Sequence, residues 1–392
     1  MTSLPALVEP AATLDNAEIE RYSRHIIIPE IGNVGQRRLK NARVLVIGAG
    51  GLGSPTILYL AAAGVGTIGI VDFDSVEVSN LQRQVIHGMN DIGRSKLDSA
   101  RDAVAALNPL VDVKLHDMLL SSTNALALFA DYDLIIDGSD NFATRYLVND
   151  AAAILGKPYV WGSVYRFDGQ VSVFWQRYGP TYRDLFPEAP AVGSAPSCGE
   201  GGVFGMLCAA VGAVMVAEAL KLITGVGETL LGRVMLYDAL SARWRQMTLN
   251  RDPAAPKVTE LIDYEAFCGL AQGGAAPAAQ VAHGISPREL AELLIARTQG
   301  TADFDLIDVR EPGEHALVSI PGAQLIPQGK IYSGEALVAL SRDRDLVLYC
   351  KAGSRSAGIL AELHRLDYHR VRNLTGGIAA YTAEIEPSQP RY

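Results

Sequence analysis

The chain has 392 residues, of which 49% are hydrophobic and 20% charged, so it is long enough for two domains with real cores. The net charge of −9 argues against a general nucleic-acid binder. None of the four cysteines forms a C-x-x-C pair, which excludes the usual signals of a disulfide framework or a structural zinc site.

The amino-terminal stretch lacks the basic and long apolar segments of a cleavable signal peptide. The most hydrophobic segment, residues 205–225, is about as long as a membrane span but contains Glu218 and Lys221. A buried helix explains this composition better than a membrane helix. We therefore expect a cytoplasmic protein without a membrane partner.

Strand-like and helix-like segments alternate through the first half of the chain. Apolar strands are predicted within 41–53, where the strand runs into a glycine-rich turn, and within 67–74 and 131–140. Helices are predicted over 54–66, 95–109 and 141–156. This alternation predicts an α/β fold with a doubly wound, mostly parallel sheet, as in Rossmann-like domains.

A small-residue segment rich in Gly, Ala and Pro, residues 268–284, has the composition of a linker. A second strand–helix pattern follows, with helices predicted over 286–297 and 354–366 and strands over 303–310 and 345–350. We therefore predict a first domain over residues 1–265, a linker over 266–283 and a smaller α/β domain over 284–392.

The segment G-A-G-G-L-G, residues 48–53, follows a predicted strand and precedes a predicted helix, and Asp72 ends the next strand. In this pattern backbone N–H groups face a nucleotide phosphate and the aspartate accepts from ribose hydroxyls. Close packing of the helix on the strand is the structural alternative. By itself, the motif would also fit an NAD-dependent oxidoreductase.

Polar and charged residues follow these strands. Asn80 and Arg83 come just past the second strand, Lys96 follows 13 residues after Arg83, and Asp137 and Asp140 end the third strand. A triphosphate that releases pyrophosphate needs several cations, whereas a nicotinamide cofactor needs few. Carboxylates at this sheet edge suit Mg²⁺. Surface charges and a helix cap at Asp140 are the alternative, but together these residues favour ATP and Mg²⁺.

Seven motifs occur in one order: RYSRH, GAGGLG, DFD, SNLQRQ, GRSKLDSA, DGSDNFATRY and SCGEGG. Over about 240 residues they resemble the molybdopterin-synthase and thiazole-pathway activating enzymes (MoeB/ThiF type), which are relatives of ubiquitin-activating enzymes. The resemblance implies a homodimer that uses ATP and Mg²⁺. It also implies a partner, a small ubiquitin-like sulfur carrier protein, whose C-terminal Gly-Gly carboxylate is adenylated.

The same resemblance implies the residues of the ATP site. Lys96 would act in catalysis, Asp140 would hold the metal, and Arg24 would reach into the partner subunit's site as an arginine finger. The nucleotide would be lined by Gly48, Gly50, Gly51, Asp72, Ser79, Asn80, Leu81, Gln82, Arg83, Lys96, Asp140 and Asn141.

Two further features concern cysteine and zinc. Cys198 lies in a glycine-rich loop before the apolar helix, and the resemblance makes it a candidate covalent acceptor of the activated carrier; an ordinary loop residue is the alternative. Many family members bind zinc through two C-x-x-C pairs, whose positions here correspond to Thr181, Asp184, Ala255 and Val258. We therefore expect no structural zinc, and a region held together by packing alone.

Cys350 follows an apolar strand and begins the six-residue loop C-K-A-G-S-R, which ends at Arg355. Such a loop can aim backbone N–H groups at the sulfur, and the following helix and Lys351 add positive charge, which favours a thiolate or persulfide. With D-V-R-E-P-G-E-H at 308–315 and I-P-G-A-Q-L-I-P at 320–327, residues 284–392 resemble a rhodanese sulfurtransferase domain. Cysteine-based phosphatases use a loop one residue longer, so the spacing favours sulfur.

Together the two domains predict a two-step enzyme, with Cys350 and Arg355 acting in the second step. The first domain would form an acyl-adenylate, and a persulfide on Cys350, supplied by thiosulfate or a cysteine desulfurase, would convert it to a thiocarboxylate. An adenylation-only enzyme with a non-essential rhodanese domain, an NAD-dependent oxidoreductase and a non-enzymatic carrier scaffold remain alternatives. The carrier could serve molybdopterin, thiamine, cysteine or thiolated-tRNA synthesis.

Overall fold

The computed structural model describes residues 4–190, 201–268 and 283–390. The chain forms two compact units: the first runs to Ala189 and resumes over Gly202–Tyr264, and the second includes the chain from Glu265 onward. Most of the predicted linker lies outside the described residues, so the domain boundaries at 265/266 and 283/284 stay a prediction.

The first unit contains eight described helices and eight strands. The helices are α1 (Asn16–Ile26), α2 (Gly32–Asn41), α3 (Gly53–Ala63), α4 (Lys96–Leu107), α5 (Ala125–Ala130), α6 (Phe142–Ile154), α7 (Tyr182–Leu185) and α8 (Gly205–Thr224). The strands are β1 (Arg43–Ile47), β2 (Thr67–Asp72), β3 (Asp112–Asp117), β4 (Leu134–Asp137), β5 (Tyr159–Tyr165), β6 (Asp168–Phe174), β7 (Arg233–Asp238) and β8 (Arg243–Thr248).

Among the described residues these strands form one sheet in the order β3-β2-β1-β4-β5-β6-β7-β8. Strands β3, β2, β1, β4 and β5 pair in parallel. Strands β6, β7 and β8 then extend the sheet in antiparallel fashion. The α/β fold class is confirmed, and the strand order reverses between β1 and β4, where doubly wound sheets bind ligands.

Helices cover both faces of the parallel strands. Side chains of Val44, Leu45 and Val46 on β1 are fully buried, as expected for a central parallel strand. Helices α3, α4 and α8 pack side by side in one layer, and α5 packs against α6 in another.

Helix α8 has, among the described residues, the length and composition that would also allow a membrane span. It packs against α3, β5 and β6, and more than half of its most apolar window is buried. Glu218 on this helix is buried and accepts the backbone N–H of Leu230. These contacts are those of a core helix of a globular unit.

The second unit contains a parallel sheet covered by short helices. Its helices are α10 (Pro287–Thr298), α11 (Pro312–Leu317), α12 (Gln328–Tyr332), α13 (Ser354–Arg365) and α14 (Gly377–Glu384), and α9 (Tyr264–Phe267) precedes them at the boundary. Its strands are β9 (Gly284–Ile285), β10 (Phe304–Asp308), β11 (Gln324–Leu325), β12 (Asp345–Tyr349) and β13 (Val371–Leu374). Their order is β11-β10-β12-β13-β9, which places β12 at the centre.

Candidate active sites

In the glycine-rich turn between β1 and α3, the backbone segments approach each other so closely that glycine is required. Gly48 has φ +90°, in the region that favours glycine. A Cβ on Gly53 would lie 1.9 Å from the carbonyl oxygen of Gly48, so no side chain fits there. The turn therefore brings the start of α3 against the end of β1, where its N–H groups can meet a phosphate.

Two buried polar side chains hold the peptide groups of Ala49 in this turn. Asp72 accepts the Ala49 N–H at 2.8 Å and the Asp74 N–H at 2.9 Å, one on each carboxylate oxygen. Each oxygen keeps a second lone pair, which leaves Asp72 able to accept from ribose hydroxyls. The Ala49 carbonyl lies 3.1 Å from Nε2 of His87, whose Nδ1 lies 2.8 Å from the Ser99 hydroxyl.

Burial lowers the pKa of His87 below its ordinary value. This effect outweighs the hydrogen bond with the Ala49 carbonyl, which by itself raises the pKa. The carbonyl can only accept, so Nε2 donates to it, and in the neutral ring Nδ1 accepts from Ser99. Ser99 lies on α4, so His87 ties the glycine-rich turn to the helix that begins with Lys96. Sequence reasoning missed His87, because a lone histidine gives no pattern.

Lys96 lies at the same sheet edge and is nearly buried, with 6% of its surface exposed. Its Nζ forms an ion pair of 2.7 Å with Asp74, whose side chain is about half exposed. Ser95 caps the helix that Lys96 begins by accepting the Leu97 N–H. The structure thus holds the ammonium group next to Asp74, two residues past the end of β2.

Arg83 and Gln84 lie against the glycine-rich turn. A Cβ on Gly51 would lie 3.6 Å from Cγ of Arg83, and one on Gly50 would lie 3.7 Å from Nε2 of Gln84. The guanidinium of Arg83 donates to the Ser79 carbonyl at 3.0 Å. Asn80 is buried and accepts the Glu77 N–H, whereas Gln82 is exposed and Leu81 half-buried. The predicted phosphate-side residues therefore lie together.

The loop after β4 completes this edge. Asp137 is fully buried and burial raises its pKa; Oδ1 accepts the Ser139 N–H, while Oδ2 has no hydrogen-bond partner within the described residues. Asp140 is exposed, and Asn141, not Asp140, caps α6 by accepting the Thr144 N–H. The capping alternative for Asp140 is therefore wrong, and its carboxylate stays available at the edge.

No group of three His, Cys, Asp or Glu side chains that could hold a metal occurs in the described ranges. Mg²⁺ in nucleotide sites is commonly bound by one or two carboxylates together with phosphate oxygens and waters. The exposed carboxylate of Asp140 fits that requirement, whereas Asp137 is fully buried and burial raises its pKa.

Two further predicted residues have no described contact with this edge, for different reasons. Arg24 is exposed in the last turn of α1, and its side chain makes no ion pair or hydrogen bond within the described part of the chain. Cys198 lies outside the described residues. Cys208, on α8, is buried, and its Sγ would lie 2.8 Å from a Cβ on Gly51.

The positions that correspond to zinc ligands carry hydrogen bonds instead. One carboxylate oxygen of Asp184 accepts the Thr181 N–H at 2.6 Å and the Thr181 hydroxyl at 2.9 Å. Its other oxygen accepts the Asp252 N–H at 2.8 Å, across 68 residues of chain. The expectation that packing alone holds this region was wrong, because Asp184 joins its two segments directly.

A second polar link lies nearby. Arg183 forms a bidentate ion pair with buried Asp150, at 2.8 and 2.7 Å, and the Tyr264 hydroxyl donates to the same carboxylate at 2.7 Å. Burial and the Asp150 charge raise the pKa of Tyr264 well above its ordinary value, so the phenol stays protonated and donates. These bonds connect α6, α7 and the first residue of α9.

We predict that Asp184→Ala lowers the free energy of unfolding by about 1–3 kcal/mol, because three donors lose their acceptor. Chemical denaturation of the purified protein measures the change, and Asp117→Ala, which alters an exposed aspartate on β3, is the matched control. A chelator should leave the melting temperature unchanged. One tightly held zinc per chain, or a chelator-sensitive melting temperature, would contradict this explanation.

In the second unit, Cys350 follows β12 and is fully buried. Its Sγ accepts the Gly353 N–H at 3.1 Å and lies 3.3 Å from the Ser356 hydroxyl. Gly353 has φ +91°, and a Cβ there would lie 3.1 Å from the Leu374 carbonyl oxygen, so the curled loop requires glycine. Of the backbone N–H groups predicted to face the sulfur, that of Gly353 does so in the described residues, and the Ser356 hydroxyl is a second donor that was not predicted.

The N-terminal turn of α14 also holds this loop through hydrogen bonds. The Cys350 carbonyl accepts the Ile378 N–H at 2.9 Å, and the Lys351 carbonyl accepts the Ala379 N–H at 3.0 Å. A Cβ on Gly377 would lie 2.4 Å from the Cys350 carbonyl oxygen. The Thr-Gly-Gly signal before α14 could have indicated this close approach, although sequence reasoning passed over it.

Arg355 lies at the end of the loop, and its guanidinium is paired. It donates to both carboxylate oxygens of Glu314, at 2.8 and 2.7 Å. Burial raises the pKa of Glu314, but the hydrogen bonds from Arg355 outweigh burial and lower it below its ordinary value. The pair therefore stays ionised and anchors the end of the sulfur loop to α11.

The D-V-R-E segment forms a deeper ion pair. Arg310 and Asp308 are both fully buried and joined at 2.8 and 2.6 Å, and His315 lies 2.8 Å from Asp308. Burial raises the pKa of Asp308, but its hydrogen bonds with Arg310 and His315 lower it overall. This cluster joins the end of β10 to α11, the helix that carries Glu314.

Comparison with known proteins agrees with both units. A model of the ThiF family matches residues 22–257, and a model of the rhodanese-like domain matches residues 286–384. Among solved structures, E. coli MccB with ATP is 20% identical with a TM-score of 0.54, covering 63% of this chain and 75% of that chain. PaaA is 23% identical with a TM-score of 0.53, covering 62% and 76%. These two likenesses concern the fold alone.

Three curated relatives are more similar in sequence. The probable adenylyltransferase/sulfurtransferase MoeZ of Mycobacterium tuberculosis (strain CDC 1551 / Oshkosh) is 58% identical over 100% of both chains. The sulfur carrier protein adenylyltransferase of Thermus thermophilus is 53% identical over 64% of this chain and 97% of its own. The adenylyltransferase and sulfurtransferase MOCS3 of Drosophila ananassae is 38% identical over 97% and 86%. The chain therefore belongs to the ThiF family, carries a rhodanese-like domain after the ThiF region, and is an enzyme of the adenylyltransferase/sulfurtransferase type.

Proposed function

We propose that this enzyme adenylates the C-terminal Gly-Gly carboxylate of a small ubiquitin-like sulfur carrier protein with ATP, and then converts it to a thiocarboxylate with sulfur carried on Cys350. The observation that carries the proposal is the donor-lined sulfur of Cys350 on the same chain as a ThiF-family unit. The printed name of the Thermus relative supports a sulfur carrier protein as the partner.

In the first step an oxygen of the carrier carboxylate attacks the α-phosphorus of ATP, and the bond to pyrophosphate breaks. Positioning and charge neutralisation supply the rate, because the transition state needs little covalent help. The glycine-rich turn and Asp72 would hold the nucleotide, and Arg83 and Lys96 would neutralise phosphate charge. Mg²⁺ would neutralise further charge on the phosphate oxygens, and Asp140 is the residue that would hold it.

Lys96 must exchange partners during this step. In the structure its ammonium group pairs with Asp74, and the side chain is nearly buried. A triphosphate carries more negative charge than one half-exposed carboxylate, so nucleotide binding would draw the ammonium group away from Asp74. Asp74 therefore holds Lys96 at the sheet edge before ATP arrives.

In the second step the terminal sulfur of a Cys350 persulfide attacks the carbonyl carbon of the acyl-adenylate, and AMP leaves. The product is an acyl disulfide that joins the carrier to Cys350. A thiolate then attacks Sγ of Cys350, which releases the carrier thiocarboxylate and leaves a disulfide on the enzyme. Cys198 is our candidate for that thiol, and an external thiol reductant must return two electrons to reset the enzyme.

The sulfur donor must first reach the buried Sγ of Cys350. Cys350 has no exposed surface in the structure, whereas Ala352 and Ser354 in the same loop are exposed. Sulfur loading from thiosulfate or a cysteine desulfurase therefore needs the loop over Cys350 to open. The need for a thiol reductant also agrees with our proposal of a cytoplasmic enzyme.

We predict a homodimer in which Arg24 completes the neighbouring ATP site. Arg24→Ala and Lys96→Ala chains should each be inactive alone, and mixing them should restore part of the ATP–pyrophosphate exchange. Both defects fall in one half of the mixed dimer, so its other half keeps an intact Lys96 and an intact arm. Mixed dimers that form but stay inactive would show that Arg24 does not act across subunits.

The proposal is tested by incubating the enzyme with ATP, thiosulfate, a thiol reductant and purified carriers that end in Gly-Gly. Mass spectrometry of the carrier should show replacement of one oxygen by sulfur, and the change should require ATP. A carrier truncated by its last glycine is the matched control. Adenylated carrier without sulfur in every case would favour the adenylation-only alternative, whereas thermal protection by NAD but not ATP would favour the oxidoreductase.

A further inference from the structure

The hydroxyl group of Ser356 lies between two acceptors beneath the sulfur loop. Ser356 is fully buried, and its Oγ lies 3.3 Å from Cys350 Sγ and 3.2 Å from the Gly353 carbonyl oxygen. A serine hydroxyl has one proton and can donate to only one of these atoms at a time. The direction of that proton decides whether the sulfur has one donor or two.

Asn373 supplies the Gly353 carbonyl with a different donor. Its Nδ2 lies 3.0 Å from the Gly353 oxygen, and Asn373 belongs to β13, which pairs with β12 beneath the loop. The Gly353 oxygen also accepts the Ala357 N–H at 3.1 Å. Because both of its lone pairs already have donors, this carbonyl gains less from Ser356 than the sulfur does. The sulfur otherwise receives only the Gly353 N–H at 3.1 Å among the bonds seen in the described residues.

The charge on the sulfur strengthens this preference. Hydrogen bonds to an ionised acceptor are roughly twice as strong as bonds between neutral groups. A thiolate on Cys350 is such an acceptor, and it lies in a site without exposed surface, where water cannot replace a missing donor. The Ser356 proton is therefore directed to sulfur whenever the thiol has lost its own proton.

We infer that Ser356 is a catalytic residue whose hydroxyl donates to the Cys350 thiolate, and that Asn373 is the positioning residue that keeps it directed there. This inference rests on the proposed function, since it concerns how Cys350 is made ready to accept sulfur. Ser356 stabilises the thiolate form of Cys350 by donating a hydrogen bond to it. Asn373 contributes through the Gly353 carbonyl and without touching the sulfur.

The test compares Ser356→Ala with wild type in the full-length chain. The rate of Cys350 alkylation by iodoacetamide is followed against pH, with peptide mass spectrometry separating Cys350 from the other cysteines. Loss of one charge-assisted hydrogen bond should move the pH midpoint upward by roughly one unit. Sulfur loading from thiosulfate at neutral pH should fall by up to about tenfold and recover at higher pH. A merely structural defect would not be rescued by raising the pH.

Two further variants sharpen the result. Ser354→Ala changes an exposed serine of the same loop and should leave the midpoint unchanged. Asn373→Leu should shift the midpoint in the same direction as Ser356→Ala but by less, because the hydroxyl can turn to the one lone pair of the Gly353 carbonyl that Asn373 leaves, while the Ala357 N–H keeps the other. The double variant Ser356→Ala/Asn373→Leu should then shift little beyond Ser356→Ala alone.

The outcomes separate this inference from the function on which it rests. If wild-type Cys350 loads sulfur but Ser356→Ala leaves both pH profiles unchanged, the role of Ser356 is overturned and the proposed function stands. If additive shifts occur in the double variant, Asn373 does not act through Ser356. If wild-type Cys350 takes up no sulfur at any pH, the proposed function itself fails.

Discussion

Replacing Cys350 with alanine should abolish sulfur transfer from thiosulfate and slow thiocarboxylate formation by at least ~10³-fold, because the nucleophile is lost. ATP–pyrophosphate exchange should stay at the wild-type rate, because the residues of the nucleotide edge belong to a different compact unit. Exchange is measured with labelled pyrophosphate, and the carrier product by mass spectrometry. The assay must exclude free sulfide, which could attack the acyl-adenylate directly.

Two variants control this experiment. Ser354→Ala alters an exposed residue of the same loop and should keep both activities. Cys198→Ala should leave the persulfide on Cys350 intact, detectable as the added mass of one sulfur that cyanide removes, and should affect only release of the product. Thiocarboxylate formation by Cys350→Ala at the wild-type rate would show that the rhodanese-like unit is not the sulfur source.

Lys96→Ala and Asp140→Ala should each reduce ATP–pyrophosphate exchange by on the order of 10²-fold or more, because each removes charge that the transition state needs. Lys96→Ala should act through lost phosphate neutralisation. Asp140→Ala should instead raise the Mg²⁺ concentration at which exchange is half-maximal. Exchange assays over a series of Mg²⁺ concentrations distinguish the two effects.

Matched variants show whether these losses are specific. Lys114→Ala removes an exposed lysine of β3 and should leave exchange unchanged. Asp140→Asn keeps the size of the side chain and should retain the melting temperature while losing exchange. Wild-type exchange in Lys96→Ala or Asp140→Ala would mean that the nucleotide binds elsewhere.

Short-range patterns in the sequence predicted the parts of the fold that place both sites. The glycine spacing at 48–53 and the apolar runs before it predicted β1 and the start of α3 correctly. The strand before Cys350 and the helix after it were also predicted, since both are continuous in sequence. Local periodicity suffices for such elements, because their hydrogen bonds and buried faces lie within one stretch of chain.

Other features depend on contacts between distant segments and leave no local pattern. The antiparallel strand β8 is exposed along its whole length, so it lacks a hydrophobic alternation to reveal it. The bond from Asp252 to Asp184 spans 68 residues, and the pair of Arg355 with Glu314 spans 41. Asn373 approaches Gly353 only because β13 pairs with β12. Such partners become visible only once the sheet is assembled.

The most direct test follows one sulfur atom from Cys350 to the carrier. The enzyme is loaded with thiosulfate carrying a heavy isotope of sulfur, freed of excess donor, and mixed with ATP, Mg²⁺, a thiol reductant and a carrier ending in Gly-Gly. In a single turnover the label should leave the Cys350 peptide and appear in the carrier thiocarboxylate, and only when ATP is present. Adenylated carrier with the label still on Cys350 would contradict the transfer of sulfur from Cys350 to the carrier.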